Sequence, residues 1–194
     1  MSRFFAVRFS IRCAVMSVAL AVQACGGNKP APPKACDAAC QDDIALRGIR
    51  EMMKLAYNFT VQGKPVGAQD ATMPCLPTGS VRVSGQASSN SKQGTTTVDL
   101  SYDFKACAYT AAIDATPEQN YSLALTGTVA EQGTLAVQPS TNTVIQLQSD
   151  DLTVSGTVYQ PTVDYDAADC ALAATQDGNS VSGTLCGRTV SFVF

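Results

Sequence analysis

The 194-residue chain contains no histidine and no tryptophan, and only 15% of it is charged. The missing imidazole excludes Ser-His-Asp and Cys-His nucleophilic catalysis, histidine-ligated zinc and imidazole general-base chemistry in one step. A basic cluster is also lacking. Lys and Arg stand singly along the body of the chain, so the electrostatic footprint of nucleic-acid binding is missing. What is plentiful is apolar material, 45% of residues, enough for a real core in one domain of this length.

The N-terminus reads as an address. Arg3, Arg8 and Arg12 form a basic start with no acid, followed by an apolar stretch from Cys13 to Val22. That stretch is about half the roughly 20 residues a membrane-spanning helix needs, and it has the pattern of a secretory signal peptide. It ends in Val22-Gln23-Ala24-Cys25-Gly26-Gly27. An aliphatic residue three before a cysteine and a small residue one before it resemble the lipobox of bacterial lipoproteins. The resemblance implies that residues 1–24 are removed and that Cys25 carries a diacylglyceryl group on its thiol, often with a further acyl chain on its amine. Chains of that number anchor a protein stably without spanning the bilayer. In Gram-negative members an Asp after the cysteine favours the inner membrane; Gly26 stands there, which implies delivery to the outer membrane. Three of the 13 basic residues leave with the signal segment, so the mature chain carries 10 against 16 acids, a net −6. Residues 25–35 then form the anchor and a Pro-rich tether, Gly26 to Lys34, that favours extended geometry.

Residues 36–194 read as a single domain, mainly β, with one N-terminal amphipathic helix. From Gln41 to Tyr57, Ala45, Ile49, Met52 and Ala56 recur at helical spacing, while Asp43, Arg47, Arg50 and Lys54 are expected on the opposite, wet face. Acids early and bases late suit the helix dipole. After Asn58 the period becomes two. Candidate strands run over 80–87, 95–105, 121–130, 134–138, 143–148, 151–159, 163–166, 170–175, 180–186 and 188–194. Short connections and alternation predict an antiparallel meander forming a curved sheet, open barrel or sandwich with the helix packed on it. Gly85, Gly127, Gly156 and Gly183 each fall in phase with apolar neighbours, which predicts bulges, bends or close backbone approach on the buried face.

Six cysteines remain after Cys13 and Cys25: Cys36, Cys40, Cys75, Cys107, Cys170 and Cys186. An even number in an exported chain reads as disulfides. Cys75 and Cys107 are centred on the polar loop Ser88 to Gly94, and Cys170 and Cys186 on Asp177-Gly178-Asn179, so each pair is expected to staple a hairpin. That leaves Cys36 for Cys40. Two helical positions four apart hold their Cβ atoms too far apart for easy bridging, so the helix proper is expected to begin near Cys40.

Candidate chemistry is thin. Asp150, Asp151, Asp164, Asp166 and Asp169 read as solvated loops, and Asp99 with Asp103 as the wet side of a half-buried strand. The final Val190-Ser191-Phe192-Val193-Phe194 has the look of an outer-membrane barrel strand, against which stand the six cysteines and the lipid anchor. No cofactor, metal or nucleic-acid partner is implied, and an enzyme is not expected. The leading expectation is a structural or protein-interaction module of the cell envelope, resembling uncharacterised Gram-negative envelope lipoproteins. The alternative is a carrier or sensor of an apolar ligand, such as a lipid, held between sheet and helix with Met52, Met53, Tyr57 and Phe59 as walls.

Overall fold

A computed structural model describes residues 35–90, 92–112, 116–136 and 142–194. The signal segment, Cys25 and the tether as far as Lys34 lie outside the described residues, as does Ser91 of the expected Ser88 to Gly94 loop.

Helix α1 spans Ala38–Thr60, and the Asp37 side chain caps it by accepting the Cys40 N–H at 3.0 Å. The helix therefore starts two residues before the expected Cys40. Cys36 precedes the cap and is not helical, which is why its sulfur reaches Cys40 across a Cα separation of 5.2 Å. The expected dipole grading is not realised: the first turn holds no acid and the last no base. The helical acids and bases make tertiary bonds instead.

Eight strands follow in one antiparallel sheet whose spatial order is the sequence order: β1 Gly67–Pro74, β2 Ser80–Asn90, β3 Thr95–Ala111, β4 Tyr121–Ala136, β5 Val144–Val158, β6 Val163–Asp177, β7 Ser180–Leu185 and β8 Arg188–Val193. The meander is as expected, with corrections. Strand β1 was not expected, because Gly67 to Pro74 holds one β-branched residue, and it is an edge strand with no fully buried position. Three pairs of expected strands fuse into β4, β5 and β6. In β5 and β6 the interruptions that separated them are register shifts within continuous strands, between Ser149 and Leu152 and between Ala167 and Cys170, whereas in β4 residues 131–133 are regularly paired on both sides.

These irregularities curl the sheet around α1. Val83, Leu100, Leu125, Leu147, Leu172 and Leu185, from six successive strands, are buried on the concave side with Leu46, Ile49 and Met53 of the helix. Each such side chain contributes about 1.5–3 kcal/mol relative to exposure. At Gly48 a Cβ would come within 2.8 Å of the Leu123 Cδ1 methyl, so helix and β4 approach closely and a larger residue would have to push that side chain aside. Gly156 has φ +140° and faces Leu123 across the ladder, where a Cβ would overlap the Ser122 carbonyl. The four repeat glycines thus mark bends and close approach. They are not themselves fully buried.

The edges β1 and β8 are not paired with each other, and α1 packs against both. Helix side chains occupy the backbone groups of the β8 edge: Ser191 N–H donates to Asp43 Oδ1 at 2.6 Å, and Arg47 Nη2 donates to the Val193 carbonyl at 2.9 Å. Arg47 also lies over the Phe192 ring at 4.7 Å and Lys54 over Phe194 at 5.3 Å. The C-terminal aromatics grip the helix. Outward positions Gln146, Gln148 and Asp150 of β5 are exposed while Ile145 and Leu147 are buried, the reverse of the apolar-out pattern of a membrane barrel.

Deeper in the seam, Asp42 is 1% exposed and takes three hydrogen bonds. Tyr165 Oη donates at 2.9 Å, Arg188 Nη2 at 2.7 Å, and Arg188 Nε to the second carboxylate oxygen. This fork joins the start of α1 to β6 and β8 and holds the Arg188 guanidinium above its ordinary range.

The disulfide Cys170–Cys186 closes the β6–β7 hairpin, with Cα atoms 4.6 Å apart. Cys75–Cys107, at 5.3 Å, differs from a simple hairpin staple. Cys75 lies before β2, in the turn that follows β1, and bonds to Cys107 of β3 at the end of the register shift between Phe104 and Cys107.

Three outcomes follow from this packing. Arg188→Ala, which leaves the buried Asp42 carboxylate without its cation, should cost about 3 kcal/mol in urea denaturation, and Tyr165→Phe about 1 kcal/mol. Gly156→Ala should cost about 2–4 kcal/mol through the forced left-handed backbone and the clash with Ser122. Burial, aided by Glu51 at Tyr121 and by Asp42 at Tyr165, raises both phenols above their ordinary value. Unfolded phenols ionise near pH 10 while these stay neutral, so stability is intact below about pH 10 and falls above it. Urea midpoints measured from about pH 8 to about pH 11, with phenolate absorbance, check the direction.

Candidate functional site

The curl that buries α1 on several sides also carries one of its cations inside. Arg50, expected on the wet face, is 5% exposed. Its Nε donates to Gln176 Oε1 at 2.7 Å, and Gln176 Nε2 is itself anchored on the Gly178 carbonyl at 2.7 Å. Arg50 Nη1 stands 3.7 Å from Glu131 Oε1, in ionic contact but beyond hydrogen-bond length.

Glu131 is fully buried, at 0% exposure. The inward phase of β4 that holds Val129 brings it there. Tyr102 Oη donates to its Oε2, and burial together with this carboxylate raises the Tyr102 phenol far above the ordinary range. Oε1, in contrast, accepts no hydrogen bond among the described residues. A buried acceptor with no donor normally costs about 1–3 kcal/mol, so its retention is informative.

Both groups form the floor of a cavity of about 410 Å³ between the C-terminal half of α1 and the ends of β3, β4, β5 and β6. Tyr57, Thr96, Leu135 and Ala136 make the walls, and Lys54, Asn58, Gln62 and Phe194 stand around the mouth. The Tyr57 phenol is raised by burial, lowered by a hydrogen bond with Thr96 and raised by the Glu131 charge. The volume lies in the range that admits a small molecule. The lining carries guanidinium, carboxylate, phenol, hydroxyl and amide groups set among apolar surface to which Tyr57, Leu135, Ala136 and Phe194 contribute.

Of the walls expected for an apolar ligand, only Tyr57 faces this space. Met52 and Met53 are packed in the filled core, and Phe59 is 68% exposed on the surface. Asp150, Asp151, Asp164, Asp166 and Asp169 are all exposed, and no group of three potential metal ligands occurs among the described residues. Asp99 accepts from Gln132 Nε2 at 3.0 Å, and Asp103 pairs with Lys105 at 3.7 Å. Four residues apart on one strand, these two carboxyls are separated by about 13 Å, beyond the spacing of a glycosidase pair. Sequence reasoning passed over Glu131, although an acid in phase with Leu123, Leu125 and Val129 was the available signal. Comparison of the chain with protein-family models, with curated proteins and with solved structures finds no match.

Proposed function

We propose that the chain is a lipoprotein of the bacterial outer membrane, held by acyl chains on Cys25, whose domain is an interaction module presenting the polar cleft to a ligand or partner of the envelope. The observation that carries this reading is the separation of the two ends of α1. The polypeptide comes into the domain at Cys36, beside the helix N-terminus, while the cleft lies against residues 50–63. From Ala38 to Lys54 or Asn58 is about 24–30 Å along the axis. The point at which the chain enters the domain is thus well apart from the mouth of the cleft. The three disulfides support an oxidising compartment, in keeping with export. The charged pair Arg50 and Glu131 on the floor of the cleft favours this reading over a carrier of an apolar lipid.

Expression of the full chain in a Gram-negative host tests the anchor. The N-terminal peptide of the membrane fraction should begin at Cys25 and carry diacylglyceryl and acyl masses. Cys25→Ser should move the protein to the soluble periplasmic fraction. An unmodified Cys25, or a cleaved Cys25→Ser protein that stays with membranes, would reject the reading.

A further inference from the structure

We propose that the cleft is a saccharide site, in which a sugar hydroxyl bridges Arg50 and Glu131. The proposal rests on the interaction-module reading for where the ligand is met, and on the cleft alone for its chemistry.

Arg50 Nη1 and Glu131 Oε1 are 3.7 Å apart on the floor, and Oε1 lacks a donor among the described residues. A ligand carboxylate there would gain Arg50 but face Glu131, and a ligand ammonium would gain Glu131 but face Arg50. A hydroxyl does both jobs. Its oxygen can stand about 2.8 Å from each atom, accepting from the guanidinium and donating to the carboxylate, because two such lengths close over a 3.7 Å base. The same bond supplies the missing partner of Oε1, and burial strengthens it because both protein groups are charged.

The surroundings extend the match. A sugar ring has hydroxyl edges and apolar C–H faces. Here a phenol ring, Tyr57, and the Leu135 and Ala136 side chains offer the apolar wall, with hydroxyl and amide groups of Thr96, Asn58 and Gln62 near it. The volume of about 410 Å³ suits one or two sugar units. Arg50 and Lys54 against Glu131 leave one net positive charge, so an acidic sugar is accommodated as well as a neutral one.

The test uses the full acylated chain in lauryldimethylamine oxide, a detergent without sugar. Glucose, N-acetylglucosamine, glucuronic acid, cellobiose and chitobiose are titrated by saturation-transfer NMR, with acetate and ethylammonium as ions lacking a hydroxyl. At least one saccharide should bind saturably, and Glu131→Gln should weaken it at least tenfold. A disaccharide preferred over its monosaccharide assigns the site to a glycan chain, and equal affinities assign it to a free sugar. Because Glu131→Gln disturbs a buried pair, Tyr57→Ala provides a second variant at a half-buried wall, expected to weaken binding several-fold in protein that circular dichroism shows to be folded. The proposal is overturned if no saccharide saturates, if both folded variants bind as the parent does, or if acetate or ethylammonium competes as well as the sugars. Running the same titration on Cys25→Ser protein separates this outcome from the anchor: a cleaved Cys25→Ser protein that stays with membranes yet binds sugar rejects the anchor and leaves the site standing.

Discussion

A helix enclosed by a sheet on more than one side must take polar residues inside with it, and the chemistry of this domain follows from that constraint. An ordinary surface helix buries one stripe and leaves its charges to water. Helix α1 buries Asp42 and Arg50 along with its aliphatic face, because the sheet curls from β1 on one flank to β8 on the other. Each buried charge then needs a partner supplied by a strand. Asp42 finds Arg188 and Tyr165 and is fully bonded; Arg50 finds Gln176 closely and Glu131 only at ionic distance. One pairing is saturated and stabilises the seam. The other is left incomplete beside open space, and that contrast distinguishes a structural polar cluster from a candidate binding site.

The curvature has its own local causes. Glycines with backbone that other residues rarely adopt, and register shifts on β3, β4 and β5, bend strands that would otherwise form a flatter sheet. Disulfides act at other places, on the turn after β1, at the start of α1 and across the β6–β7 hairpin.

Much of the fold was legible in the sequence. Alternation in β2 to β8 and helical spacing in α1 gave the class, and symmetric placement about turns suggested the cysteine pairs. Reading failed where tertiary context decided. Gly67 to Pro74 forms β1 because β2 offers it an edge, not because its residues favour strands. Glu131-Gln132-Gly133 looked like a break, and pairing on both sides keeps it in β4. Arg50 and Lys54, four apart, looked equivalent on a helical wheel, yet one is buried and the other exposed, since the wheel carries no information about how far a sheet wraps. The site was therefore harder to see than the scaffold: its two central charges come from residues whose burial depends on that wrap.

The open seam between β1 and β8 has a consequence for the order in which the domain can assemble. Asp42 and Arg188, and Arg47 and Val193, are each 146 residues apart in the chain. Contacts so remote close large loops and form slowly. The helix is the first element of the domain to be synthesised, but it cannot be locked until the last strand exists. Until then Asp42 lacks its full set of partners. The neighbouring strands can pair hairpin by hairpin in chain order, and the helix is sealed against β8 only at the end.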